Sequence, residues 1–121
     1  VECVDDVDST HYNRLVDRAK TTTLDWKSSE QMLRRDEQYR WGIIVDHNAN
    51  TPVPGGGSCI FIHIWAGPSN GTSGCTAMAH GQIEELLGWL IPGAGPVLVQ
   101  LPQPEFSRLQ SLWGLPASEQ K

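Results

Sequence analysis

The sequence predicts a mostly β domain of the α+β class, in which a small sandwich-like sheet is flanked by two or three short helices.

 Twelve glycines and eight prolines in 121 residues imply many turns, which favours short strands over a helical bundle. Residues 58–65 form an apolar run that alternates between two faces, as a buried strand does. At this length, and with 39% hydrophobic residues, we expect one domain over residues 1–121 with one modest core.

The elements before the apolar run are expected to be short. Residues 1–8 are rich in acidic side chains and are interpreted as a solvated edge. Ser28 and Gln31 fit a capping box, which predicts a helix over residues 29–36 with a charged, solvated face. The β-branched and aromatic residues that follow predict a strand over residues 41–46.

The elements after the apolar run alternate between helix and strand. Apolar residues recur at helical spacing from Ile83 to Leu90, which predicts a helix over residues 80–90 that Pro92 stops. A buried strand is predicted over residues 96–101, an amphipathic helix over residues 105–113 and a frayed tail from Ala117.

The run over residues 58–65 is predicted to be the central strand, covered on both sides. Alternation places isoleucines on one face, which is interpreted as core. The opposite face carries Cys59, Phe61, His63 and Trp65. It is aromatic and holds the only imidazole of the strand, which suits the floor of a cleft.

Cys75 follows this strand across a loop of small residues and is the candidate nucleophile. A thiol needs a base to become a thiolate, and His63 at the end of a rigid strand can take the proton. The small neighbours keep the sulfur accessible and leave the N–H groups of Gly74 and Cys75 free for an oxyanion hole. The alternative without any catalytic role is that His63 and Cys75 are buried core residues.

The other cysteines leave several alternatives open. Cys59 lies four strand residues from His63, about 13 Å away, which excludes it as the partner of that base. Cys3 and Cys59 form a disulfide in one interpretation, and all three thiols are reduced in the other. His47, Cys59, His63 and Cys75 are suitable ligand types for zinc, but no CxxC pair is present and we expect no metal site.

The stretch from His63 to Met78 resembles the L,D-transpeptidase catalytic domain, the YkuD-like family. That family has a histidine at a strand end, a loop, then Ser/Thr-His-Gly-Cys and an Arg or Asn two residues on. Here Thr72-Ser73-Gly74-Cys75-Thr76-Ala77 matches the second part. The resemblance extends over the segments SSEQM, YRWGIIVDHN, GGGSCIFIHIW, GTSGCTAM and PVLVQLP. Ile64, Ser73 and Ala77 depart from the family pattern, and this chain is a short, divergent member.

The resemblance implies a small YkuD-like β-sandwich and a role for each matching residue. Cys75 would be the nucleophile, His63 its base, and Gly74 a donor to the oxyanion. The backbone carbonyl of Ser73 would orient the imidazole. The substrate-binding residues would be Trp65, Thr72, Trp41 and Thr76, and residues 28–41 could supply a substrate-capping element.

The implied reaction is acyl transfer on peptidoglycan stem peptides, with a thioester on Cys75, release of the terminal D-alanine and transfer to an amine. The alternatives are an L,D-carboxypeptidase, in which water is the acceptor, and a non-catalytic cell-wall binding module on the same fold. No cofactor is needed. The resemblance implies a periplasmic or cell-envelope location, although the chain carries no signal peptide.

Charge and hydropathy exclude two classes of partner. The formal net charge is −5, so no basic patch is available to neutralise the phosphates of a nucleic acid. No apolar segment is long enough to span a membrane. We expect a monomer.

Overall fold

The computed structural model describes residues 1–117 and divides the chain into two compact units, Val1–Leu90 and a second that begins at Ile91. The first unit holds two three-stranded sheets and one α-helix, and the second holds another α-helix. The predicted mostly-sheet α+β class is therefore confirmed. A single domain over residues 1–121 stays a prediction, and the tail expected to fray beyond Ala117 lies outside the described residues.

The first sheet is built from three short strands near the start of the chain. Its strands are β1 (Glu2–Val4), β2 (Arg14–Val16) and β3 (Ser29–Gln31), in the order β2-β1-β3 with both pairings antiparallel. All three residues of β1 are buried, so the interpretation of residues 1–8 as a solvated edge is wrong for this strand. The pairing of β1 with strands on both sides explains the burial.

The predicted helix over residues 29–36 is also wrong. Glu2 pairs with Gln31 in the ladder between β1 and β3, which holds residues 29–31 in an extended conformation. The hydroxyl of Ser28 donates to Asp5 and that of Ser29 donates to Glu2, so neither caps a helix. Only a short 3₁₀ helix follows, at Glu37–Tyr39.

A buried carboxylate lies at the centre of the first sheet. Glu2 is only 2% exposed, and its oxygens accept hydrogen bonds from Arg18 Nε at 2.6 Å and Trp26 Nε1 at 3.2 Å. Further donors come from Ser29 and Gln31. The bond from Arg18 is the largest of the effects that lower the pKa of Glu2 to about 2. The cluster therefore stabilises the ionised carboxylate although it is buried.

Acidification is expected to destabilise the first sheet through Glu2. Its pKa is lower in the folded state than its ordinary value of 4.5, so the stabilisation is present above pH 4.5 and is lost as the pH falls toward 2. After a discount for the solvent-exposed Arg18, we expect a loss of about 2 kcal/mol. Urea unfolding between pH 6 and pH 2.5 measures it. In Glu2→Gln, a pH dependence as steep as that of the unsubstituted protein would contradict this assignment.

The second sheet contains the predicted central strand. Its strands are β4 (Gly42–Ile44), β5 (Phe61–Ile64) and β6 (Thr76–Met78), in that order. β4 is antiparallel to β5, and β6 is parallel to it. All four residues of β5 are buried, as the two apolar faces predict. The strand is shorter than predicted because Cys59 adopts a left-handed conformation, with φ of 55°, before it begins.

The isoleucine face of β5 packs against the predicted helix, which is α1 (His80–Trp89). Ile62, Ile64 and Ile83 form the buried cluster, and Met78 and Leu86 are among the apolar side chains packed around it. Because α1 covers this face, the other face of β5 is available for a cleft.

The second unit contains a 3₁₀ helix, Pro92–Ala94, and α2 (Gln103–Trp113). The helix α2 begins two residues before its predicted start and ends before Gly114, which takes the left-handed conformation at φ 62°. The strand predicted over residues 96–101 is wrong, because this segment pairs with neither of the two sheets. Across residues 1–117, no helix combines the length and apolarity needed to cross a membrane.

Candidate active site

A cleft of about 430 Å³ opens on the face of β5 that α1 does not cover. Its floor comes from β5 and from the start of β6, and one wall comes from the segment between β3 and β4. The side chains that line the cleft include those of Glu30, Arg34, Tyr39, Phe61, His63 and Cys75.

The register of the parallel strands brings Cys75 and His63 to the same face. His63 pairs with Ala77 in the ladder between β5 and β6, and one residue before this ladder Cys75 lies beside Phe61. Side chains two positions apart on a strand share a face. Cys75 and His63 are therefore diagonal neighbours on this face of the sheet.

The imidazole of His63 is buried and held by its surroundings. His63 is only 5% exposed, and its Nδ1 lies 2.8 Å from the carbonyl oxygen of Ile64. A carbonyl can only accept, so Nδ1 carries the proton and Nε2 is left as the acceptor in the neutral ring. The resemblance assigned the orienting carbonyl to Ser73, whereas in the structure Ile64 provides it. Ser73 is exposed and lines the cleft.

Cys75 is a free, half-buried thiol whose hydrogen bond does not go to His63. Its Sγ donates a hydrogen bond to the carbonyl oxygen of Cys59 at 3.4 Å. Among the described residues, no hydrogen bond joins it to His63. Burial raises the pKa of Cys75, the carboxylate of Glu30 raises it further, and a bond from the Phe61 backbone partly opposes both. Because its pKa is raised, Cys75 is a neutral thiol near neutral pH and donates to the Cys59 carbonyl.

Alkylation of Cys75 by iodoacetamide is expected to accelerate only in the alkaline range. The thiol pKa is raised above its ordinary value, so the thiolate fraction stays small near neutral pH. The measurement is the alkylation rate against pH, followed by intact-protein mass spectrometry. In Glu30→Gln the midpoint is expected to fall, because one negative charge near the sulfur is removed. A fast alkylation plateau at neutral pH would contradict this prediction.

Thr72 makes hydrogen bonds within the loop that ends at Cys75. Its hydroxyl donates to the carbonyl oxygen of Cys75 at 2.5 Å, and its oxygen lies 3.3 Å from the backbone nitrogen of Gly74. Gly74 itself has a φ of 144°, in the region that favours glycine. The predicted oxyanion donor at Gly74 thus has a long hydrogen bond in the resting cleft, which a substrate oxygen could replace.

The other predicted substrate-binding residues divide into two groups. Trp65 lines the cleft together with Thr72. Trp41 and Thr76 are not among the described residues that line it. Thr76 pairs with Ile62, so its side chain points to the face opposite Cys75. Trp41 lies just before β4 and is 42% exposed.

The sequence did not identify three residues that form the wall of the cleft. Glu30, Arg34 and Tyr39 line the cleft, and Arg34 had been interpreted as part of a solvated helix face. The expectation that residues 28–41 supply a capping element is the one signal that pointed to this segment. Local pattern alone could not identify the residues, because the pairing of β3 with β1 determines where they lie.

The disulfide alternative with Cys3 and Cys59 is the one present in the structure, with Cys75 left free. The bond removes Cys59 from the set of zinc ligands considered above. His47 is hydrogen-bonded through Nε2 to the carbonyl oxygen of Gly56. Within residues 1–117, no group of three or more His, Cys, Asp or Glu side chains is arranged to hold a metal ion.

The cleft lies within the part of the chain that matches a known protein family. The family model for the L,D-transpeptidase catalytic domain, YkuD, matches residues 5–99, which include His63, Cys75 and the wall segment. Searches of curated proteins and of solved structures found no match. Because the family match covers most of the chain, this protein belongs to the L,D-transpeptidase catalytic domain family.

Proposed function

We propose that the protein is a cysteine acyltransferase that acts on peptidoglycan stem peptides, with Cys75 as the nucleophile and His63 as the base. The observation that supports this most strongly is the placement of both side chains on one face of adjacent parallel strands, in a cleft. The family match supports the substrate class.

In the proposed first step, the thiol turns from the Cys59 carbonyl toward Nε2 of His63 and transfers its proton. The sulfur then attacks the carbonyl carbon of the third stem residue, and the resulting oxyanion accepts hydrogen bonds from the Gly74 and Cys75 backbones. When the C–N bond breaks, the imidazolium donates its proton to the nitrogen of the departing D-alanine. The product is a thioester on Cys75.

In the proposed second step, an amine of another stem peptide attacks the thioester, and His63 accepts the proton that this amine loses. The C–S bond breaks, and the departing thiolate takes the proton from His63, which restores the thiol. Both steps use only groups of the protein and its substrates, and no metal or organic cofactor takes part. Water in place of the amine would make the enzyme an L,D-carboxypeptidase. A disulfide is typical of proteins in oxidising compartments, which supports a periplasmic or cell-envelope location.

A β-lactam of the carbapenem type tests the proposal, because thiolate attack on its strained amide leaves the opened ring bound to sulfur. We expect intact-protein mass spectrometry to show one adduct, and peptide mapping to locate it on Cys75. Cys75→Ser is the matched control and is expected to remain unlabelled. No adduct on the unsubstituted protein would contradict the proposed nucleophile, as would labelling elsewhere. Muropeptide binding unaffected by Cys75→Ser, without any reaction, would identify a binding module instead.

A further inference from the structure

We propose that Tyr39 is the positioning residue for His63, and that Glu30 and Arg34 hold Tyr39 in place. The proposal rests on the proposed function in that it takes His63 to be the base. It adds a residue that comes from the wall of the cleft and not from the sequence around Cys75.

Tyr39 packs directly on the imidazole. The centroids of the two rings are 4.9 Å apart with an interplanar angle of 68°, an edge contact. Tyr39 makes a second edge contact with Phe61 at 5.0 Å, and Phe61 lies 5.4 Å from His63. The imidazole is thus enclosed by two aromatic rings, one from its own strand and one from the 3₁₀ helix.

Tyr39 is itself restrained from the solvent side. Its hydroxyl donates to Glu30 Oε1 at 2.7 Å, and the guanidinium carbon of Arg34 lies 4.7 Å from its ring centroid. Arg34 is in turn bound to Asp36 through Nε and Nη2. Burial raises the pKa of Tyr39 to about 12, and the bond to Glu30 adds to this, so the hydroxyl remains a neutral donor.

This arrangement can select the tautomer that the base needs. The Ile64 carbonyl fixes the proton on Nδ1 only while the ring keeps its orientation. A rotation of the imidazole by a half-turn about its Cβ–Cγ bond would put a carbon in the place of Nδ1. The hydrogen bond to the Ile64 carbonyl would then be lost, and Nε2 would move. The ring of Tyr39 fills the space beside the imidazole, so removing it would allow the ring to reorient.

Two substitutions separate the ring of Tyr39 from its hydroxyl. Tyr39→Leu removes the aromatic contact, and we expect kcat for D-alanine exchange to fall about tenfold with KM changed less than about twofold. Tyr39→Phe keeps the ring and is expected to retain kcat within about threefold. Trp89→Leu, at a residue 72% exposed on α1, is the matched control and is expected to behave like the unsubstituted protein.

A readout that does not depend on activity is ¹⁵N NMR of the imidazole nitrogens, recorded through a pH titration. The resonances of His63 are assigned by their absence from the spectrum of His63→Gln. The unsubstituted protein and Tyr39→Phe are expected to show a single neutral tautomer with the proton on Nδ1. Tyr39→Leu is expected to show averaged tautomers. If Tyr39→Leu does not fold, Tyr39→Met takes its place as the variant without a ring, and a single tautomer in folded Tyr39→Met would overturn the proposal.

The outcomes distinguish this proposal from the proposed function. Exchange activity absent from the unsubstituted protein, together with a tautomer change in Tyr39→Leu, would refute the function and support the positioning role. A single tautomer in folded Tyr39→Leu, or equal decreases of kcat in both tyrosine variants, would overturn the positioning role of the ring while leaving the function intact.

Discussion

Replacing Cys75 by alanine is expected to lower the exchange of terminal D-alanine on a tetrapeptide donor by at least about 10³-fold. Every step of the proposed reaction passes through a bond to Sγ, and no other free thiol is present among the described residues. The measurement is incorporation of labelled D-alanine, followed by mass spectrometry of the donor.

The control for this variant is its fold. Cys75 is half-buried and the hydrogen bond from its thiol to the Cys59 carbonyl is long, so the alanine variant should unfold near the urea midpoint of the unsubstituted protein. Residual exchange within tenfold of the unsubstituted rate would exclude Cys75 as the nucleophile. His63→Gln is expected to show a similar loss of exchange, because the sulfur then lacks its proton acceptor.

Removing the disulfide is expected to have the largest effect on stability. The bridge closes a loop with a sequence separation of 56 residues, and restricting an unfolded chain over that length is worth about 4 kcal/mol. The double variant Cys3→Ser/Cys59→Ser should therefore lose a large share of a marginal free energy of unfolding. Urea unfolding measures the loss.

Reductant provides the matched comparison. Dithiothreitol should lower the urea midpoint of the unsubstituted protein and of Cys75→Ser, and should leave the midpoint of the double variant unchanged. An unchanged midpoint in the double variant without reductant would show that the bridge does not contribute to stability. Exchange activity is expected to fall as well, since the Cys59 carbonyl is the acceptor for the resting thiol.

Sequence periodicity was sufficient to predict the framework that holds the candidate site. The two-residue alternation around His63 and the helical spacing around Ile83 each produce a continuous apolar face, and those faces meet in the core. The signal is strong because β5 is buried on both sides. Cys59 is excluded as a nucleophile by its disulfide with Cys3, whereas the distance argument assumed a straight strand that in the structure begins only at Phe61.

Periodicity could not predict the first sheet or the wall of the cleft. Three-residue strands are too short to establish a pattern of alternation, and glutamate, the residue at position 2, is a type that is usually exposed. Its burial depends on Arg18, which lies sixteen positions away in sequence. The apparent capping box at Ser28 failed for a similar reason, because partners distant in sequence outweighed a weak local preference.

The hydrogen bond between Cys75 and Cys59 has a consequence for how active protein is made. Three cysteines can pair in three ways, and two of those pairings would consume Cys75, the proposed nucleophile. If Cys75 is the nucleophile that we propose, thiol–disulfide exchange during maturation would separate productive from dead-end chains, because the Cys75 thiol contacts the backbone of Cys59. The specific activity of a preparation should therefore follow its fraction of correctly bridged molecules, and titratable thiol content offers a direct measure of that fraction.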